Sequence, residues 1–209
     1  MIVGIIGAGN IGETLAQLWA DAGHEIVFGT PDPQKVAELA RSVGHGASSR
    51  TSLEAAQVAD AVLVAVPFKA WPDVAMAVGK TLIGRVVLDA TNINEERDGE
   101  IAERARAHPG GTLGFVSGLV PNVKLVKAFN TMQAAVLKSD AHRGGRLYGV
   151  PIAGDDDHAL AIARQLVSDA GFDPVLVGAG SRAREFDEGT PVWNHPMTAH
   201  ELAQRLGII

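Results

Sequence analysis

The sequence predicts an α/β fold with a doubly wound, mostly parallel sheet, and three observations support that prediction. Short apolar runs alternate with segments of helical apolar spacing along the 209 residues. The run Ala61–Val66 is continuously apolar and closed by Pro67, which is typical of a central parallel strand. The apolar run that starts at Ile2 leads directly into a glycine-rich turn and then a helix-like segment.

That turn has G-x-G-x-x-G spacing and consists of Gly7, Ala8, Gly9, Asn10, Ile11 and Gly12. Gly7 permits a tight turn, Gly9 lets the backbone approach a pyrophosphate, and Gly12 lets the helix pack closely on the strand. The pyrophosphate would lie at the free N–H groups of the helix N-terminus. The turn therefore predicts a Rossmann-type dinucleotide site. The alternative is a glycine-rich loop that binds no nucleotide.

The remaining elements follow from apolar runs and helical periodicity. Further strands are predicted at Glu25–Phe28, Val86–Asp89, Leu125–Ala128, Tyr148–Ala153 and Pro174–Val177. Helices are predicted at Glu13–Ala22, Gln34–Val43, Ser52–Ala59, Trp71–Gly79, Ile101–His108, Asp157–Ala170 and Thr198–Leu206. No linker or repeat interrupts this order, so we expect one domain over residues 1–209, in which residues 179–209 form a tail that caps the site or docks on a partner subunit.

Composition excludes several classes of protein. A net charge of −6 without a basic stripe argues against nucleic-acid binding. The absence of cysteine excludes disulfides, thiolate nucleophiles and cysteine-ligated metals. No apolar run approaches membrane-spanning length, and the N-terminus has no signal-like charge pattern. We therefore expect a cytoplasmic protein with small-molecule partners, no nucleic acid and no membrane.

The end of the second strand indicates which nicotinamide cofactor is bound. NAD enzymes place an acidic residue there for the ribose hydroxyl, whereas basic residues suit the 2′-phosphate of NADP. Here Gly29 and Thr30 occupy that position, and Lys35 follows shortly. The Thr30 hydroxyl and the Lys35 ammonium can both reach a phosphate. The sequence favours NADP(H), although Lys35 alone is also explained as a solvated helix residue.

Ligands of open α/β sheets lie beyond the carboxyl ends of the strands, so the residues after each strand are further candidates. Val66 and Pro67 form a predicted apolar ledge for the cofactor, and Phe68 closes one side of the acceptor pocket. Neutral donors and acceptors around a flat ring come from Thr91, Asn92, Asn130 and Thr131, followed by Met132. The asparagines are equally explained by ordinary turn chemistry.

No catalytic side chain and no metal site are predicted. The seven histidines are scattered without metal-ligand spacing. The run Asp155–Asp157 opens a helix, where acids have a reason in capping and in the helix dipole. Hydride transfer between two flat rings needs close stacking and exclusion of water rather than a protein nucleophile.

These motifs resemble those of the small NADP oxidoreductases that pass hydride between NADP and the 8-hydroxy-5-deazaflavin coenzyme. The resemblance is carried by residues 5–12, 23–30, 65–67, 127–131, 153–157 and 178–182. It implies NADP contacts at the glycine-rich turn, Thr30 and Lys35, and it places Val66 and the segment from Met132 to Ala134 near the nicotinamide. It also implies a homodimer. Pro31 stands where the family commonly has an arginine at the 2′-phosphate.

The acceptor stays open at this point. The archaeal deazaflavin enzymes have a histidine where this chain has Asn130, so a 5-deazaflavin, a flavin or another flat ring remains possible as second substrate. Trp193 in the tail stacks on the acceptor ring or simply anchors the tail. The alternatives to a deazaflavin or flavin reductase are a reductase of a small carbonyl or imine compound and a non-catalytic dinucleotide sensor.

Overall fold

The computed structural model describes residues 1–209 as an eight-stranded sheet flanked by helices. The strands are β1 Ile2–Ile6, β2 Glu25–Thr30, β3 Ser48–Thr51, β4 Ala61–Val64, β5 Val86–Asp89, β6 Lys124–Lys127, β7 Gly149–Gly154 and β8 Asp173–Gly178. The helices are α1 Asn10–Asp21, α2 Pro33–Val43, α3 Ser52–Val58, α4 Trp71–Leu82, α5 Glu95–Asp98, α6 Glu100–Ala107, α7 Gly111–Leu119, α8 Ala134–Asp140, α9 Asp157–Asp169 and α10 Ala199–Arg205. Two 3₁₀ turns cover Phe68–Ala70 and Gly180–Glu185.

The strand order is β3-β2-β1-β4-β5-β6-β7-β8, and the first six strands run parallel. The order reverses between β1 and β4, which is the switch point where such sheets bind ligands. β7 pairs antiparallel with β6, and β8 runs parallel to β7. The predicted doubly wound, mostly parallel Rossmann-type sheet is confirmed, and all the predicted strands are present.

Four of the strands and α-helices escape the sequence patterns, and one of them, α5, is only 4 residues long. β3 is polar and half-buried at the sheet edge, so it has no apolar run that would mark it. α7 contains three glycines, and α8 is only 7 residues long. α1 begins at Asn10, three residues before its predicted start, because the glycine-rich turn already enters the helix.

Two apolar layers cover the sheet. One contains the buried faces of α1, α2 and α9 and includes Trp19, whose indole N–H donates to the carbonyl of Leu166 at 2.8 Å. The other contains α3, α4, α6, α7 and α10 and includes Trp71 and Phe68. Both Trp19 and Trp71 pack in the interior. Because both faces are covered, only the strand ends and their loops are available to a ligand.

The chain after β8 returns across one face as the Gly180–Glu185 turn and ends in α10. Thr198 caps α10 by accepting from the Glu201 N–H, and the Glu201 carboxylate accepts from the Thr198 N–H at 2.8 Å. α10 contacts β7 and β8, and Leu202 and Leu206 are buried there. The tail is therefore anchored at its far end, and the segment between Phe186 and Thr198 lies between two fixed points.

No helix combines the length and the hydropathy that a crossing of the bilayer would need.

Gly12 offers a test of how closely α1 packs on the turn before it. A Cβ at Gly12 would lie 2.0 Å from the carbonyl oxygen of Gly7. We expect Gly12→Ala to lower the free energy of unfolding by about 1–3 kcal/mol or more, as other overpacked sites do. Urea unfolding followed by circular dichroism measures the change.

The matched control is Gly118→Ala in α7, where a Cβ meets nothing within 4 Å. Alanine is favoured over glycine in a helix by roughly 0.5–1 kcal/mol, so this variant should be as stable as the parent or slightly more so. Equal loss of stability in both variants would contradict the packing argument.

Candidate functional site

The three glycines of the turn differ in what surrounds them. Gly7 has φ +112°, and a Cβ there would lie 2.4 Å from the carbonyl oxygen of Ala65. At Gly12 the carbonyl oxygen of Gly7 occupies the space that a Cβ would need, whereas a Cβ at Gly9 would meet no atom within 4 Å. Gly7 and Gly12 are thus required by the fold. At Gly9 the fold leaves open space that a Cβ would not need to share with any protein atom.

The first turn of α1 is available to an anion. Gly9 occupies the N-cap position, and no side chain caps the helix there. The first N–H groups of an α-helix have no partner within the helix, and they carry its positive dipole end. Gly9 and Asn10 are exposed, and Ala8 and Ile11 are half-buried. This geometry fits the pyrophosphate of a dinucleotide.

The residues predicted to hold a 2′-phosphate lie together at the end of β2. Thr30 ends the strand, and its hydroxyl accepts from the Asp32 N–H at 3.3 Å. The Lys35 ammonium lies 3.3 Å from the Asp32 carboxylate, and its side chain is 81% exposed. Pro31 is exposed between them and supplies no donor. A phosphate at the end of β2 would meet the Thr30 hydroxyl and the exposed Lys35 ammonium. The Asp32 carboxylate would compete with it for that ammonium.

The segment after β4 only partly matches its predicted role. Val66 is half-buried and Pro67 is exposed, so both can form a ledge at the edge of the sheet. Phe68 is fully buried, and its ring centroid lies 6.0 Å from that of Phe115. The structure thus places Phe68 in the core, where it supports the ledge from below rather than closing one side of the pocket.

The ends of β5 and β6 are joined by a pair of asparagines. The Asn92 amide donates to the carbonyl of Asn130 at 2.7 Å. The Asn130 amide donates to Asn92 Oδ1 at 3.3 Å and to the carbonyl of Phe186 at 3.0 Å. Asn92 is half-buried, and Asn130 is buried. The structure therefore brings together the two asparagines that the strand-end argument selected.

Phe129 just before this pair has an unusual backbone. Its φ is +61° although its side chain is bulky and fully buried. Such a conformation costs of order 1–3 kcal/mol and persists only where its surroundings enforce it. Here it turns the chain sharply as it leaves β6, so that Asn130 lies beside Asn92. Thr131 and Met132 follow as buried residues, and Ala134 begins α8.

A buried lysine lies beneath the asparagine pair. The Lys127 side chain is fully buried, and its ammonium lies 3.0 Å from the Asp89 carboxylate. It also donates to the carbonyl of Thr91 at 2.6 Å, and Asp187 lies 3.9 Å away. The Thr91 hydroxyl donates to Asp89 at 2.6 Å and accepts from the Trp71 indole at 3.1 Å. We call Lys127, Asp89, Thr91 and Asp187 the lysine cluster.

The lysine cluster changes the reading of Thr91. Its hydroxyl is committed to Asp89 and Trp71, and the residue is buried, so its side chain supports the site from within. Lys127 and Asp89 were not singled out from the sequence. Each is the last residue of an apolar strand, where a polar residue is ordinary because it usually reaches solvent. The available signal was that the two occupy equivalent positions on neighbouring strands, where Asp89 pairs with Lys127 in register.

The tail borders this edge of the sheet. Asp187 accepts from the Thr112 hydroxyl at 2.8 Å, and the Asn194 N–H donates to the carbonyl of Thr131 at 2.8 Å. Trp193 is partly buried, and its indole Nε1 is buried without a hydrogen-bond partner. The segment from Phe186 to Asn194 therefore forms a wall beside Asn130. The predicted stacking of Trp193 on an acceptor stays a prediction.

Charged side chains surround the outer rim. Arg97 donates to the carbonyl of Asn92 at 2.9 Å and binds Asp98 through two nitrogens, at 2.8 and 2.7 Å. Burial opposes ionisation of Asp98, but Arg97 and the N–H groups of Asn94 and Lys69 together lower the pKa of Asp98. The same hydrogen bond raises the pKa of Arg97.

Nearby, burial raises the pKa of Glu188, and Arg106 and Arg97 only partly offset that effect. The rim thus fixes Asn92 from its backbone side without placing a charge on the asparagine amides.

A separate cavity of about 540 Å³ lies at the opposite edge of the sheet, between the start of β6 and the end of β7. Its acidic residues already have partners. Asp155 accepts from the Gly180 N–H at 2.9 Å, and Asp156 caps α9 and lies 3.0 Å from Lys124. The predicted capping role of this acidic run is confirmed. Asp155 thus contacts the turn after β8, and Asp156 begins α9.

Removal of the Lys127 ammonium would leave Asp89 buried without its cation. We expect Lys127→Met to destabilise the fold by about 3–5 kcal/mol, the usual cost of removing one partner of a buried ion pair. The matched control is Lys124→Met on the same strand, whose ion pair with Asp156 is about one-third exposed at each partner. It should cost no more than about 1 kcal/mol. Chemical unfolding measures both, and similar values would show that the lysine cluster has no special importance.

Residues 2–93 match the family described as NADP oxidoreductase, coenzyme F420-dependent, which covers β1 to β5 and the glycine-rich turn. Among curated proteins, the chain is similar to Metalloreductase STEAP3 of Rattus norvegicus, with 28% identity over 185 residues. That match covers 88% of this chain and 35% of the rat protein, so the chain spans little more than a third of this relative.

Two solved structures cover nearly the whole chain. A hypothetical protein of Sinorhizobium meliloti has 27% identity and a TM-score of 0.80, and the match covers 95% of each chain. A candidate F420-dependent NADP-reductase of Arthrobacter sp. FB24 has 24% identity and a TM-score of 0.76, with 98% of this chain and 94% of that chain covered. At this identity the second likeness shows the fold.

These comparisons confirm the resemblance inferred from the sequence. Residues 2–93 are similar to the coenzyme F420-dependent NADP oxidoreductases in sequence, and the chain as a whole shares its fold with a candidate member of that group.

Proposed function

We propose that this chain is an NADP-dependent oxidoreductase that transfers hydride between NADPH and a flat acceptor such as a 5-deazaflavin or a flavin. The observation that carries the proposal is the open space at Gly9, between two glycines that the fold itself closes and ahead of an uncapped helix. A pyrophosphate that approaches along this opening would meet the first-turn N–H groups of α1 directly.

The two rings would lie over the ends of β4, β5 and β6. Val66 and Pro67 border this region on one side, and the asparagine pair with Thr131, Met132 and Ala134 borders it on the other. When bound, NADPH supplies the hydride. The chain's own part is to stack the two rings and to exclude water, and neutral amides suit that task because they leave no charge to be desolvated.

The flat acceptor is favoured because the charged side chains beneath and beside the asparagine pair are paired with one another. Lys127 and Asp89 are fully buried and paired with each other, and Arg97 and Asp98 are paired on the rim. Reduction of a carbonyl or imine needs a proton donor within reach of the substrate. We therefore propose no catalytic side chain.

We also propose that the protein is a homodimer and that its tails complete the sites.

The first experiment is a titration with NADPH and NADH, followed by addition of oxidised deazaflavin or FMN. We expect NADPH to bind more tightly than NADH, and absorbance at 340 nm to fall with at least one of the two flat acceptors. Tight NADPH binding without oxidation by either would favour a small carbonyl or imine substrate or a sensor. Stronger binding of NADH would show that the Thr30 corner is misinterpreted.

Gly9→Ala tests the proposed pyrophosphate contact. Because the added methyl group meets no protein atom, the variant should unfold at the same denaturant concentration as the parent. We expect NADPH affinity to fall about tenfold or more, which corresponds to roughly 1.4 kcal/mol, because the methyl group occupies the path of the pyrophosphate. Fluorescence titration of NADPH measures the change, and unchanged affinity would argue against this placement.

Lys35→Ala tests the cofactor preference. The lost ammonium should weaken NADPH binding by about threefold to tenfold at low salt and leave NADH binding unchanged, since only NADPH has the 2′-phosphate. The difference should shrink as salt is added, because Lys35 is exposed.

Lys80→Ala, which removes an exposed ammonium from α4, is the control for general charge effects. An equal loss for both cofactors, or the same loss in the control, would contradict a 2′-phosphate contact.

A further inference from the structure

Asn130 has a hydrogen-bonding atom that the protein leaves unused. Its side chain is 2% exposed, yet Oδ1 is buried without a donor. Buried side-chain oxygens nearly always have a partner, and each exception calls for an explanation. This one lies at the carboxyl end of β6, on the edge of the sheet where ligands of this fold bind.

The orientation of the amide follows from its neighbours. The Phe186 carbonyl can only accept, so the group 3.0 Å from it must be the Asn130 amine. The backbone carbonyl of Asn130 likewise requires the Asn92 amine, which lies 2.7 Å from it. Asn92 therefore presents Oδ1 to Asn130, and both contacts of the Asn130 amine are to acceptors. The unused atom is an oxygen, and it needs an N–H or O–H donor.

The neighbouring wall offers the opposite group. Trp193 Nε1 is a buried donor without an acceptor, and it belongs to the segment that attaches to Thr131 through Asn194. Asn130 and Trp193 are thus the residues that directly precede the two partners of one hydrogen bond, that from the Asn194 N–H to the Thr131 carbonyl. A planar amide carries both of the groups that these two atoms lack, an N–H for Asn130 Oδ1 and a carbonyl for Trp193 Nε1.

We propose that Asn130 Oδ1 accepts the N–H of a planar amide on a bound ring and thereby fixes the rotation of that ring about its own plane. This inference rests on the proposed function and adds the recognised group. The amide has two sources in that reaction, the carboxamide of the nicotinamide and the imide edge of the acceptor. Asn130 acts as a positioning residue for hydride transfer.

Matched ligand pairs test the inference in the wild-type protein. Lumiflavin has an imide N–H at N3, and 3-methyllumiflavin lacks it. NADP⁺ has a carboxamide N–H, and its 3-acetylpyridine analogue lacks it. Loss of the N–H should weaken binding by about fivefold to fiftyfold in one of the two pairs, since a buried oxygen then stays unpaired. Fluorescence quenching and calorimetry give the dissociation constants without turnover.

Asn130→Ala supplies the second measurement. It should abolish the preference for the N–H ligand of the affected pair, so that both members bind equally. Gln165→Ala, which deletes an exposed carboxamide on α9, is the matched control and should keep the preference. Circular dichroism checks that both variants are folded. Because the ligand pairs are also compared in the wild type, an unfolded Asn130→Ala protein would not prevent the test.

Each result has one meaning. A preference in the flavin pair assigns the contact to the acceptor, and a preference in the nicotinamide pair assigns it to the cofactor. Equal binding within both pairs by the wild type overturns the inference but leaves the proposed function intact. Failure to bind NADP⁺ and lumiflavin at all overturns the proposed function itself.

Discussion

The buried ion pair between Lys127 and Asp89 is the interaction on which the arrangement of this edge depends. Two charges taken from water cost several kilocalories per mole each unless they are paired and hydrogen-bonded. Here Asp89 accepts from Lys127, from the Thr91 hydroxyl and N–H, and the Lys127 ammonium also holds the Thr91 carbonyl. Because Asp187 lies near the same ammonium, β5, β6 and the tail are tied to one buried point.

This arrangement explains why the surface of the site is neutral. The ion pair of Lys127 and Asp89 lies beneath it, and the groups above this pair are the amides of Asn92 and Asn130. Charged groups of the rim, such as Arg97 and Asp98, hold the backbone of Asn92 from outside. Such a surface suits the proposed transfer of hydride between stacked rings, because neutral amides can orient a ring without placing a charge beside it.

The glycine-rich turn was predictable because its constraints are local. The glycine spacing, the apolar run before it and the helix after it are all visible within one short stretch, and the structure shows the steric reasons at Gly7 and Gly12. The strand-end argument selected Asn92 and Asn130 as candidates, and the structure shows that they contact each other, since parallel strands bring their ends to one edge.

The region proposed to face the acceptor depends on long-range contacts that no local sequence pattern indicates. Lys127 looks like a solvated strand end, and its burial becomes visible only when Asp89 and Asp187 are placed beside it. Phe68 follows a strand, but a 3₁₀ turn rotates it into the core. The polar strand β3 and the glycine-rich helix α7 have no distinctive periodicity, and the reversal of β7 depends on pairing rather than on composition.

The course of the chain around this edge has a practical consequence for protein engineering. The groups proposed to hold the phosphates all precede α3, whereas Asn130 and the wall from Phe186 to Asn194 come from the part of the chain after β6. The two halves meet at the strand ends but share no segment. Grafting a different wall between β8 and α10 should therefore redirect the choice of acceptor while the cofactor half is kept unchanged. Such a graft must keep a side chain that suits the buried Lys127 ammonium, as Asp187 of the present wall does.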